Sequence, residues 1–273
     1  MAPAYRTTAY RYPNETIILA VTIVAVVLVV AITATATLCL SALFIIGFFA
    51  LSYQMTQSHH RSLIERAYPI NSNTLPELDI LVKNCTQRLH PGPIEAYVAP
   101  TRELNAYTFG ISGPKVVVLY SSLIKVMDAD ELRFIIGHEL GHVQLGHTWL
   151  NTLIGGMAGI PAPYEAAILL TCAFRWWNRA CEYSADRAGL LTCGGLNSAI
   201  SALIKLGSGG QARTPAELER ALKLIDQEDD NTWNVLAETL ASHPMIIRRI
   251  NELRRYAATN EYRQIQAKIN QNG

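Results

Sequence analysis

The residues best suited to chemistry lie together at Gly137-His138-Glu139-Leu140-Gly141-His142. Histidines four positions apart share one face of an α-helix, so His138 and His142 can place ring nitrogens on a single metal ion. Glu139 sits beside such an ion without competing as a ligand. There it can take a proton from a water that the metal activates. The implied chemistry is metal-assisted hydrolysis, but a catalytic zinc usually needs three protein ligands. The best third candidate lies in Arg179-Ala-Cys-Glu182-Tyr-Ser-Ala-Asp186-Arg. Glu182 and Asp186 are also four apart and present two carboxylates side by side. Glu182 would complete a His-His-Glu set with an open position, which suits zinc. Asp186 could accept the other ring N–H of a ligand histidine. Taken singly, each motif has a plainer reading, as unrelated helix histidines or as an exposed acidic pair. Taken together they favour the metal. His147, nine residues from His138, is half a turn out of phase and is expected to be structural or exposed. His59, His60 and His90 have no partner at ligand spacing.

These side chains need a long helix, and the sequence announces one. Asp128-Ala-Asp-Glu131 has capping-box spacing and an acidic first turn, and Leu132, Ile135, Ile136 and Leu140 follow at helical spacing. Upstream, Thr74-Leu-Pro-Glu to Leu89 reads as a helix with Pro76 in its first turn. Between them Pro93–Tyr120 is β-rich, with Ile94-Glu-Ala-Tyr-Val-Ala alternating, Val116-Val-Val-Leu-Tyr β-branched, and Ser112-Gly113-Pro114 supplying turn chemistry. From Asn178 onward the pattern is helical, broken at Gly194-Gly195, Gly207–Gly210 and His243-Pro244. The expected class is α+β, mainly helical, with a small sheet.

Only 16% of the 273 residues are charged, against about 25% in average soluble domains. The deficit is local, because Thr16–His60 contains no Asp, Glu, Lys or Arg. Within it Ile17–Leu51 is apolar apart from scattered Ser and Thr. As one helix that stretch would reach about 50 Å, beyond a hydrocarbon core of about 30 Å. Two short spans turning near Thr33–Thr37 fit better than one long tilted helix. Arg6 and Arg11 before the segment and Arg61 and Arg66 after it favour a hairpin with both flanks cytoplasmic. The expectation is a cytosolic segment at 1–15, a transmembrane hairpin at 16–53 and a catalytic domain at 54–273. A second apolar stretch, Trp149–Trp177, is broken by Gly155, Gly156, Gly159, Pro161 and Pro163. It reads as a helical hairpin, either packed in protein or dipping into the membrane. Five cysteines without a CxxC pair indicate neither a thiolate metal site nor a disulfide framework. A net charge of +1 gives no reason to expect nucleic acid.

Four pieces in order now carry a resemblance: Asn-Ala-Tyr-Thr-Phe-Gly at 105–110 with the Val-Val-Val-Leu-Tyr-Ser-Ser-Leu-Ile that follows, His-Glu-Leu-Gly-His at 138–142, Cys-Glu-Tyr-Ser-Ala-Asp at 181–186, and Ser-His-Pro-Met-Ile-Ile-Arg-Arg-Ile at 242–250. In these the chain resembles the HtpX-like membrane zinc metallopeptidases, gluzincins related to the CAAX prenyl proteases. The resemblance implies a zincin-like catalytic domain holding one zinc ion per chain. Glu182 then matches the third ligand and Asp186 its outer carboxylate. His243 matches a histidine that stabilises the oxyanion, and Arg249 a basic residue expected to pair with an acidic group near the site. Asn105, Ala106, Tyr107 and Thr108 match an edge strand that binds substrate backbone. Two departures stand out: Met245 where the family often has a second proline, and Tyr107-Thr108 where it has an aromatic residue followed by alanine.

The sequence therefore predicts a membrane-anchored zinc endopeptidase, with Glu139 as general base, acting on peptide or unfolded protein. Misfolded or damaged membrane proteins are the implied substrate class. The expected location is the plasma membrane, with the catalytic domain facing the cytosol. The rival reading is a silent or latent membrane scaffold that keeps the same fold. Oligomeric state is not encoded in any feature found.

Overall fold

The computed structural model describes residues 8–36, 40–110, 113–149, 165–212, 214–227 and 245–272. In chain order they form α1 (Glu15–Ala36), α2 (Leu40–Ile64), β1 (Tyr68–Pro69), α3 (Pro76–Leu89), β2 (Ile94–Ala99), β3 (Ala106–Phe109), β4 (Lys115–Tyr120), α4 (Ser121–Val126) and α5 (Ala129–Gln144). Then come α6 (Glu165–Cys193), α7 (Leu196–Gly207), α8 (Pro215–Gln227), α9 (Met245–Ala257) and α10 (Asn260–Asn272). The class is mainly helical α+β with one small sheet.

Local chemistry sets the start of α5. The Asp128 side chain accepts the N–H groups of Asp130 and Glu131, and the Glu131 carboxylate accepts the Asp128 N–H at 2.8 Å. These bonds satisfy donors that a helix start otherwise leaves open. Glu131 is buried and also meets the Lys205 ammonium of α7 at 2.7 Å. The cap is thereby tied to a second helix, which fixes where the face carrying His138 and His142 begins.

The sheet order is β1-β2-β4-β3, with β2 and β4 parallel and the outer pairs antiparallel. Alternation along β4 sends Val117 and Leu119 into the main core with Phe134, Ile136 and Leu140 of α5. Val118 and Tyr120 go to the other face, where they pack with Phe109, Leu63 and Ile64. β3 lies at one edge beside α5. The main contact of the molecule is α5 against α6, flanked by α3, α7 and α9. It is unusually close at Gly141, where an added Cβ would lie 2.6 Å from Ala188 Cβ and 3.2 Å from Ala185 Cα.

One expectation is overturned. No helix among the described residues is long and apolar enough to cross a membrane, which contradicts the predicted N-terminal transmembrane hairpin. The charge-free stretch is divided between α1 and α2. α1 opens on a charged residue, and Glu15, Ile18 and Thr22, at helical spacing, are buried on a helix that packs against α6. α2 turns polar through Gln54-Met-Thr-Gln-Ser-His-His60 and ends by covering the sheet. Composition registered the missing charge but not this division of labour. The other face of α1 leaves Ile17, Val21, Val24, Leu28 and Ile32 exposed. Of the expected apolar hairpin at 149–177, residues 150–164 lie outside the described residues, and the later part is the beginning of α6.

Candidate metal centre

α5 and α6 bring three donors to one point. His138 Nε2 and His142 Nε2 are 3.2 Å apart, and each is 3.5 Å from a carboxylate oxygen of Glu182. A tetrahedral zinc with bonds of about 2.0–2.1 Å would space its ligand atoms by about 3.4 Å. The three separations match the edges of such a tetrahedron. Both outer ring nitrogens are already committed: His138 Nδ1 to Asp186 Oδ1 at 3.0 Å, and His142 Nδ1 to His147 Nδ1 at 2.9 Å. With Nδ1 carrying the proton in each ring, both Nε2 atoms present lone pairs to the same space. The donor set therefore fits a metal, with His138, His142 and Glu182 as the residues that would hold it.

Arg249, from α9, organises the carboxylates behind these ligands. It donates to both oxygens of Asp186, from Nε at 2.8 Å and Nη2 at 2.6 Å, and its Nη1 meets Glu182 at 3.0 Å. Burial alone would raise Glu182, but the Arg249 guanidinium and the two histidines hold its carboxyl well below the usual range. Burial likewise opposes ionisation of Asp186, and Arg249 and His138 overcome it and lower its pKa. For His142 burial favours the neutral ring, yet contact with Glu182 and the charge of Glu139 push its pKa up.

Glu139 is buried beside His138, and the Thr108 hydroxyl of β3 donates to its carboxylate at 2.6 Å. That bond joins α5 to the sheet edge. Among the described residues no strand pairs with the outer side of β3. Its neighbours are settled: Tyr107 packs edge-on against Tyr120 and stacks near His60, while the Asn105 side chain accepts the Ala106 N–H. Ala106 is half-buried. His243 lies outside the described residues.

Residues 77–257 match the sequence pattern of peptidase family M48. The chain belongs to that family. Among its relatives is the plastoglobule-localized metallopeptidase 48 of Arabidopsis thaliana chloroplasts, 30% identical over 216 residues, covering 74% of this chain and 62% of that protein. A CAAX prenyl protease 1 homolog from Dictyostelium discoideum is 34% identical over 67 residues, 24% of this chain and 16% of its own length. A protease HtpX homolog from Pelotomaculum thermopropionicum is 22% identical over 225 residues, covering 69% of this chain and 78% of that one. The chain thus spans less than two thirds of the first two. The matched span takes in β3, α5 and α6, the elements that carry Thr108, His138, His142 and Glu182.

Two further residues approach the site: His147, expected to be structural or exposed, and Glu15, for which the sequence predicts no role. His147 was expected to point away because a continuing helix would carry it out of phase. α5 instead ends at Gln144, and Gly146, at φ 77°, turns the chain so that His147 folds back against His142. Burial pushes His147 down to about 4. Glu15 is the second. It lies 132 positions away, with Oε1 3.1 Å from His147 Nε2, and no spacing rule reaches that far. The Gly146 stop was the one signal that could have been read.

Proposed function

We propose that this M48 chain is a zinc-dependent endopeptidase, holding one zinc on His138, His142 and Glu182, that hydrolyses peptide or unfolded protein. The observation that carries the reading is the convergence of two bare Nε2 atoms and a carboxylate at 3.2–3.5 Å, with each Nδ1 engaged elsewhere. Zinc held there would polarise the scissile carbonyl and ease loss of a proton from the attacking water.

The chain's own residues supply the rest. The open side of β3, through the backbone of Asn105–Thr108, takes an extended substrate segment as an added strand. Because a strand edge lets the substrate continue at both ends, it supports cleavage within a chain. Thr108 holds the Glu139 carboxylate where it can accept a proton from the attacking water and then return it to the leaving amine. Arg249 keeps Asp186 and Glu182 ionised and fixed in place. On the family resemblance, His243 donates to the developing oxyanion, a role often worth a few kcal/mol. The same resemblance supports misfolded or damaged membrane proteins as the substrate class.

The test is cleavage of unfolded casein by wild type and Glu139→Gln, with metal content measured on both. Cleavage by wild type alone, with about one zinc on each protein, is the expected result. Zinc on both with no cleavage by either would favour a latent or scaffold protein. Absence of metal from both would overturn the ligand assignment.

A further inference from the structure

His138 and His142 are supported from opposite sides by chains of the same kind. Behind His138 stand Asp186 and then Arg249. Behind His142 stand His147, then Glu15, then Arg11, whose guanidinium pairs with the Glu15 carboxylate. The second chain contains an additional imidazole and draws its carboxylate from the N-terminal segment. Glu15 and His147 are as buried as any core residue, at 1% and 2% exposure. Glu15 also accepts the Ser184 hydroxyl, and the Tyr12 N–H donates to Ser184 Oγ at 2.7 Å. Arg11 reaches the Leu145 carbonyl at 3.0 Å, at the end of the ligand helix. The segment is therefore bound to the back of the metal centre at several points.

We propose that Glu15 and His147 are positioning residues for the metal ligand His142, so that the N-terminal segment forms part of the metal centre. The inference rests on the zinc reading above, and hydrogen placement gives it a direction. To offer Nε2 to a metal, His142 must carry its hydrogen on Nδ1 and donate it to His147 Nδ1. His147 must then be the acceptor at Nδ1 and carry its own hydrogen on Nε2, where Glu15 Oε1 receives it. A carboxylate on the outer nitrogen thus selects the tautomer that leaves His142 free to bind the ion.

Glu15, His147 and Cys181 also bring donor atoms within 4.8 Å of one another, which raises a second cation site as the competing explanation. Hydrogen placement argues against it. An ion on His147 Nε2 would force hydrogen onto Nδ1, where it would face the Nδ1 hydrogen of His142 across 2.9 Å. Arg11 and Ser184 moreover already occupy the Glu15 carboxylate.

The experiment compares wild type, His147→Phe, His147→Asn and Glu15→Gln by chelator competition for zinc, zinc stoichiometry and thermal unfolding. Asn places an acceptor oxygen near the former Nδ1, whereas Phe keeps the volume and removes the acceptor. The expected result is zinc affinity about 10–100-fold weaker in His147→Phe, largely restored in His147→Asn, with a smaller loss in Glu15→Gln. A merely structural role gives the opposite order, with Phe tolerated and Asn harmful to stability and affinity alike. Nitrogen-15 histidine spectra of the zinc-loaded wild type should show His147 protonated at Nε2, and the Nδ1–H form would refute the proposal. Wild type without zinc would overturn the zinc reading itself. One zinc held as tightly by His147→Phe as by wild type would overturn only this inference. Two ions per wild-type chain, one lost in Cys181→Ala, would replace it with the second site.

Discussion

Gly141→Ala should disable the metal centre without touching a ligand. Gly141 precedes His142 on α5, and it meets Ala185 and Ala188 of α6, the helix that also carries Glu182 and Asp186. The added methyl would start 2.6 Å from Ala188 Cβ and 3.2 Å from a backbone carbon, against ordinary contact at 3.4–4 Å. Neither neighbour has a rotatable end to move aside, so the helices must separate by about 1 Å, and overpacking of this kind costs roughly 1–3 kcal/mol. The separation is taken out of the ligand set. Glu182 would retreat from 3.5 Å towards about 4.5 Å from the imidazoles, beyond the spacing of about 3.4 Å that a tetrahedral zinc requires. Drawing the separated helices back to zinc spacing would cost about as much again, roughly 1–3 kcal/mol, which corresponds to zinc affinity weaker by about 5–150-fold. Denaturant unfolding of the metal-free protein and chelator competition measure the two effects. Gly47→Ala is the control, because nothing lies within 4 Å of its added methyl and α2 should gain, by about 0.8–1 kcal/mol. A Gly141→Ala protein with wild-type stability and wild-type zinc affinity would refute the close-packed seam and the dependence of the ligands on it.

Three further outcomes follow from individual contacts. Arg249→Met leaves the buried Asp186 and the half-buried Glu182 without their shared cation, so the metal-free protein should lose about 3 kcal/mol in denaturant titrations. Added zinc should restore part of that loss. Thr108→Val should lower kcat several-fold with zinc content unchanged, because it removes the hydroxyl that holds Glu139, whereas Thr108→Ser should stay near wild type; equal rates in steady-state assays would exclude the contact. Burial holds His60 down to about 4 from the usual 6.5, and its ring lies 3.7 Å from that of Phe109. The unfolded chain then takes up the proton first, so stability present above pH 6.5 is lost as pH falls towards 4, by about 2 kcal/mol at pH 5. Denaturant midpoints at pH 7 and 5 should show the loss in wild type and a smaller one in His60→Phe.

What could be read from the sequence was what depends on local spacing. The Asp128–Glu131 cap, the shared face of His138 and His142, and the paired carboxylates of Glu182 and Asp186 are separated by three or four residues, so helix geometry alone places them. β4 was legible for the same reason, since its β-branched residues alternate between two packed faces. What escaped needed the third dimension. Gly141 is unremarkable in sequence and matters only because α6 approaches it. Helical phase misplaced His147, because α5 ends at Gln144 and Gly146 turns the chain back. Thr108 was placed on the substrate strand, but its bond to Glu139 depends on how β3 meets α5. The charge-free run misled because composition does not show where it divides between α1 and α2, and only Glu15 hinted that one face of α1 had a polar partner.

The charges around the site explain why so much acid can gather in one place. Glu139, Glu182 and Asp186 crowd around the ligand histidines, and Arg249 is the guanidinium paired with two of them. Without a metal this group of side chains carries an excess of two negative charges, and a divalent ion would bring it to neutrality. His147 and Glu15 add nothing to that excess, because Arg11 balances Glu15 and the buried imidazole is neutral. The upward push on His142 has the same origin, since in the metal-free protein a proton on that ring is the nearest available substitute for the ion. Metal and proton therefore compete for one charge deficit. Binding free energy at such a site is partly folding free energy, which is why the zinc-free state should reveal the cost of losing Arg249 most clearly.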